Sequence, residues 1–231
     1  MDIQDVLLKE LGYLPGAIAV MGKWEPVMTL EACMRVVAAR SAAALAVSEA
    51  MEPDGPGPYL LSAEGHLRGQ PRPGCVMAAG IMSSLGARRE RIKIWPAADA
   101  TVNEVRCLWR MTQALDARGL LLLTCPYHES RARRILGREL PGETRAVVRS
   151  IHSPLVRQAL DLLPNERRRQ LEQTIQAGDL RGLEAVPVAF TEGIGALVGR
   201  APRLERLLVE LFRGTSPRRE EDMFPELPED L

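Results

Sequence analysis

Short, almost purely apolar runs alternate along this chain with longer segments of helical periodicity. Residues 17–21 (Ala-Ile-Ala-Val-Met) end at Gly22 and predict a buried strand. Thr29 then offers a cap for a helix to about Glu52, with Met34, Val37, Ala44 and Leu45 near one face. The Pro/Gly cluster at 53–58 stops that helix. Tyr59–Ser62 predicts a second strand, followed by a loop holding Glu64, Gly65 and His66. Cys75–Leu85 reads as a helix ended by Gly86, and Ile92–Trp95 as a third strand halted by Pro96. A helix from Thr101 to about Arg118, a strand at Leu120–Thr124, a helix from Pro126 to about Leu140 and a fifth strand at Ala146–Arg149 complete the series.

Continuous apolar strands suit a parallel sheet covered on both faces, so this alternation predicts a doubly wound α/β domain with right-handed crossovers over residues 1–152. After Ser153 the pattern becomes wholly helical. Ser153-Pro154 is a cap followed by a first-turn proline, Pro164 interrupts the helix, and Asn165 caps the next one before Gly178. Leu204, Leu207, Leu208, Leu211 and Phe212 form an apolar stripe after Ala201-Pro202. Residues 153–214 therefore read as a helical appendage that lids the site, joins a homodimer or covers a sheet face, the last being the default. Residues 215–231, rich in charge and proline, read as a mobile tail.

Composition narrows the class without reaching chemistry. The chain of 231 residues carries 30 basic and 30 acidic side chains, so no basic surplus points to nucleic acid or to an anionic membrane. Lys9, Lys23 and Lys93 are its lysines and every other basic residue is arginine, which suits oxyanion pairing but follows equally from coding bias. Cys33, Cys75, Cys107 and Cys125 form no C-x-x-C pair, and no basic-then-apolar leader or membrane-length apolar run is evident. A cytoplasmic protein without membrane or nucleic-acid partners is the expectation.

In open α/β sheets, ligands bind beyond the carboxyl ends of the strands. That rule gathers Gly22 and Lys23; Ser62, Glu64 and His66; Asp99, Thr101 and Asn103; Thr124, Cys125, His128 and Arg131; and His152. All three histidines fall in this rim. His128 and Arg131 lie three apart on a helix whose first turn presents N–H groups and a positive dipole end, so they share a face near a natural oxyanion seat. Thr101 and Glu104 read first as a capping box, leaving Asn103 for the pocket. Cys125 three residues before His128 makes a Cys–His nucleophile conceivable. His66, His128, His152 and Asp99 lack helical metal-ligand spacing, so no metal is expected.

The segment Leu-Thr124-Cys-Pro-Tyr-His128-Glu-Ser-Arg131-Ala132 resembles the His-x-x-Arg-Ala segment of the YdcF/SanA/ElyC-like family. Ala98-Asp-Ala-Thr101-Val-Asn103-Glu104 is similar to that family's Thr-x-Glu-Asn box, with Asn and Glu in reversed order. More loosely, the likeness takes in Gly22, Arg40 in the first long helix and the strand ending at Ser62, and spans roughly residues 15–150. Where the family usually has Ser-Gly-Gly, this chain reads Ser62-Ala-Glu64-Gly65. The resemblance implies a Rossmann-like domain whose polar pocket takes a nucleotide-like ligand, S-adenosylmethionine included.

Two functions of different class follow. In one, the protein is an enzyme acting on a small anionic, phosphorylated or nucleotide-like molecule, with His128 as acid/base and Arg131 holding the anion. In the other it is a noncatalytic sensor or accessory module whose appendage reports occupancy of the same pocket. A structural protein with a vestigial pocket fits the convergence of polar groups less well.

Overall fold

A computed structural model describes residues 3–22, 28–52, 55, 57–66, 70–98, 100–140, 142 and 144–180. Five strands, β1 (Ala17–Val20), β2 (Tyr59–Glu64), β3 (Ile92–Ala98), β4 (Leu120–Thr124) and β5 (Ala146–Ser150), form one sheet in the order β3-β2-β1-β4-β5. Every neighbouring pair is parallel. The intervening helices are α2 (Leu30–Met51), α3 (Gly74–Ser84), α4 (Thr101–Ala114) and α5 (Pro126–Glu139); α1 (Ile3–Leu11) precedes the sheet, and α6 (Pro154–Asp161) and α7 (Asn165–Ala177) follow it. This is a Rossmann-like α/β fold, as the alternation predicts.

Alternate strand side chains feed two cores. Ile18, Val20, Leu60, Leu121 and Leu123 face a layer built from α1, α2, α3, α6 and α7. Ala17, Ala19, Leu61, Ala63, Leu120 and Leu122 face α4 and α5. Helix α2 is apolar over most of its circumference and is therefore enclosed, with α1, α3, α6 and α7 around it. Thr29 caps it as expected, its Oγ1 accepting from the Ala32 N–H at 3.1 Å. Helices α6 and α7 share the core of the α/β layer, and Arg167 clasps Glu49 of α2. The described part of the appendage thus packs mainly on helix α2, outside the sheet face that α2 covers. The stripe at 202–212, Gly193, Gly195, Gly199 and the tail lie outside the described residues.

Local details depart from the sequence reading where tertiary context intervenes. Strand β3 runs through Pro96 to Ala98 rather than stopping at Trp95. It is an edge strand, where a residue without an N–H is tolerated, and its pairing with β2 shifts register between Ser62 and Glu64. Helix α4 ends at Ala114, four residues short of Arg118. Asp116 adopts a left-handed φ of 50°, and the Ala117 N–H turns back to the Thr112 carbonyl, closing the helix as glycine commonly does. Pro164, not Asn165, holds the capping position of α7. Helix α1 was not foreseen; Ile3, Val6 and Leu7 bury its inner face.

Candidate functional site

The strand order places a topological switch at β1: the chain steps from β1 to β2 and β3 on one side, then returns to lay β4 on the other. Such a reversal splays the connecting loops and leaves a crevice beyond the carboxyl ends of the two central strands. Here those ends are Val20-Met21-Gly22 and Thr124-Cys125, with α5 beginning at Pro126.

A fully buried arginine reaches this point from α2. Arg40 Nη1 donates to the carbonyls of Met21 and Gly22, both at 2.7 Å. Its Nε and Nη2 are buried and, among the described residues, have no hydrogen-bond partner. Burial opposes the charge, but the Cys125 thiol, the Tyr127 hydroxyl and the Glu104 carboxyl surround the guanidinium and together hold its pKa above the ordinary arginine value. A buried cation with donors to spare is costly unless something else engages them.

Two buried carboxyls meet at Gly22, and one of them, Glu104, also acts on this cation. The Gly22 N–H donates to Glu104 Oε1 at 2.6 Å across 82 positions of sequence. Glu64, at the end of β2, lies against Gly22 and Gly74, whose missing side chains make its room; Gln70 Nε2 donates to its Oε2 at 3.4 Å. Burial, then the neighbouring Glu64, pushes Glu104 up to about 8, against the opposing pull of the Gly22 N–H and Arg40. Burial and a second acid beside it thus favour the protonated form of Glu104 at neutral pH. Burial and Glu64 likewise push the Cys75 thiol up to about 12.

The predicted rim residues sort into distinct roles. Gly22 stands at the centre, touched by Glu64, Glu104 and Arg40. Ser62 and Thr124 are fully buried, and their hydroxyl oxygens have no partner among the described residues. Cys125 occupies the capping position of α5 and is buried; His128 is buried in the first turn, and Arg131 is half-buried one turn on. Asn103 is buried in the first turn of α4. Two of the histidines have separate partners. His66 is exposed with Nε2 at 2.7 Å from the Gln70 carbonyl, while His152 pairs with Asp179 at 2.7 Å. Lys23 and Asp99 lie outside the described residues.

One expectation fails for an instructive reason. Thr101 and Glu104 do not form a capping box: Ala100 is the residue before the helix, it makes no side-chain cap, and Thr101 is already helical. The Glu104 carboxyl is committed instead to Gly22, where a second strand-end loop supplies the N–H that a helix cap would have offered. The sequence marks Arg40 as the interruption of the apolar stretch from Val36 to Val47, and the family likeness includes it, but neither gives it a partner. Its signal in the sequence is a lone arginine inside the apolar run of α2, which a buried helix does not accommodate without a polar destination.

An open cavity of about 290 Å³ lies at the start of α5, lined by Cys125, Pro126 and Tyr127 together with Gly178, Asp179 and Leu180. The end of α7 therefore meets the rim. Among the described residues no group of three or more His, Cys, Asp or Glu side chains is placed to hold a metal ion, and no helix is long and apolar enough to cross a membrane. No protein-family profile, curated protein or solved structure matches the chain.

The raised Glu104 pKa carries a stability signature. Because the folded carboxyl binds its proton more tightly than the unfolded one, stability from this group is full at low pH. It is lost as pH rises from the ordinary carboxylate range to about 8, then levels. Glu104→Gln removes that titration. The stability of the native protein minus that of the variant should fall by up to about 1.4 kcal/mol per pH unit across that window. Urea unfolding of both proteins from pH 5 to 9 measures it; a flat difference contradicts the raised Glu104 pKa.

Proposed function

We propose that the protein binds a small anionic, nucleotide-like or phosphorylated molecule at the switch between β1 and β4 and performs acid/base chemistry on it. The supporting observation is the convergence of buried Arg40, Glu64 and Glu104 on the Gly22 backbone. A buried cation with uncommitted donors beside a buried acid that favours its protonated form is expensive as architecture and useful as chemistry. In this reading the start of α5 and Arg131 receive the anionic group, and His128 or the carboxyl pair moves the proton. The likeness of the His128-x-x-Arg131-Ala132 segment to the YdcF-like family points to the same edge of the sheet, with a nucleotide or S-adenosylmethionine as the ligand class. The cavity shared by Cys125–Tyr127 and the end of α7 favours a second reading, a sensor in which the helical segment registers occupancy.

A thermal-shift screen of the full chain against AMP, ATP, S-adenosylmethionine and ribose 5-phosphate tests this. A ligand present at a hundred times its Kd should raise Tm by about 5–10 °C. Arg131→Ala should abolish the shift while leaving the unliganded Tm within about 2 °C, because a half-buried surface charge contributes little to stability. No shift with any member, or an identical shift in Arg131→Ala, removes the assignment. Turnover of the stabilising ligand separates the enzyme from the sensor.

A further inference from the structure

In α/β proteins that hold phosphates, a backbone N–H at the end of the first strand is commonly offered to the anion. Here the N–H at that position, Gly22, is already taken by a carboxyl oxygen of the protein itself at 2.6 Å. The donors that would complete an anion seat are also present. Arg40 fastens one nitrogen on the Gly22 carbonyl and keeps Nε and Nη2 buried without a partner among the described residues. Both flanks of the seat are acidic, Glu104 on the N–H and Glu64 against the glycine face.

We propose that Glu104 is the resident occupant of an oxyanion seat formed by the Gly22 N–H and the Arg40 guanidinium, and that a ligand's phosphate or carboxylate enters by displacing it while the Glu64–Glu104 pair holds one proton, taken up on binding wherever the free pair has lost it. This rests on the ligand site proposed above and specifies its regulation. The physical reason is charge. One guanidinium cannot compensate two ionised carboxyls and an incoming anion within a buried site, so the displaced acid must be neutral for the exchange to be favourable. Tight binding is then confined to the pH range in which the pair still holds its proton, and Glu104 is held to about 8.

The groups that act on Glu104 are few. Glu64 comes from β2 and Arg40 from α2; the Cys75 thiol of α3 also feels both acids but stays protonated up to about 12. Cys125 and Tyr127 act through Arg40 from the end of β4 and the start of α5.

Inorganic sulfate is the probe, because its charge is constant between pH 6.5 and 9.5. Titrated calorimetrically into the full chain, it should bind with an affinity that is level below about pH 8 and falls about tenfold per pH unit above it. At pH 8.5, paired buffers of different ionisation heat should report uptake of about three-quarters of a proton per sulfate. Glu104→Gln, which keeps the shape and removes the titration, should bind sulfate at pH 9.5 as tightly as the native protein does at pH 6.5. A pH-independent native affinity, or absence of proton uptake, overturns the proposal. So does a fall that persists in Glu104→Gln, which would assign the titration to another group. If Glu104→Gln does not fold, the buffer pair on the native protein decides alone. Failure of sulfate to bind while a screened nucleotide stabilises the protein defeats the self-occupied seat but leaves the ligand site standing; failure of every ligand defeats the site.

Discussion

Replacing Arg40 with methionine should lower the unfolding free energy by about 3–5 kcal/mol at pH 8.5, and by clearly less at pH 5. Methionine keeps much of the volume, so the loss is electrostatic and polar rather than a cavity. The Met21 and Gly22 carbonyls lose their donor, and the buried acids lose the only cation acting on Glu104 among the described residues. The dependence on pH follows in sign. Without Arg40 the Glu104 pKa rises further, so the folded variant binds still more protons than its unfolded chain and its stability declines more steeply as pH rises. At pH 5 the Glu104 carboxyl holds its proton and needs no counter-ion, and the variant escapes the cost of a buried guanidinium. Urea unfolding at the two pH values measures both limbs. An equal loss at each pH, or a loss under about 1 kcal/mol, would mean that Arg40 is not the counter-ion of this site.

The second large effect concerns the room made for Glu64. Gly74 begins α3, a position where alanine would ordinarily stabilise a helix by up to about 1 kcal/mol. Gly74→Ala should instead destabilise by about 1–3 kcal/mol, because the new methyl would overlap the Glu64 carboxyl. That carboxyl has no easy retreat, since on its other side it already fills the space that a side chain at Gly22 would take. Removing the obstruction should restore the ordinary preference. In a Glu64→Ala background, Gly74→Ala should be neutral or stabilising, giving a coupling above about 1 kcal/mol in a double-mutant cycle. Strict additivity would show that Glu64 does not sit between the two glycines.

Much of the architecture was readable in residue order because it depends on local repetition. The apolar runs at 17–21, 59–62 and 120–124 cannot be anything but interior, and turn signals between them leave room for a helix each; the parallel sheet follows. Thr29 and Ser153-Pro154 act within three residues of themselves, and both cap as read. Pro96 and the end of α4 misled for the complementary reason. Whether a proline is tolerated depends on its strand lying at an edge, and the close of α4 on Asp116 taking a left-handed backbone, which sequence rarely announces outside glycine.

The site divides along the same line. From the sequence alone came the edge of the sheet at which polar groups collect, with Gly22, Ser62, Glu64, Asn103, Thr124, Cys125 and His128 all placed at or near strand ends. Only the tertiary structure decided which of them act together. It gave His66 and His152 partners of their own, turned Glu104 from a helix cap into the partner of Gly22, and brought Arg40 out of an apolar helix to the end of β1. Periodicity reports which way a side chain faces relative to its own element, a property of neighbours three or four residues away. Pairing between a glycine and a carboxyl 82 residues apart is set by strand order and by the burial that forces each polar group to find whichever partner the fold brings within reach.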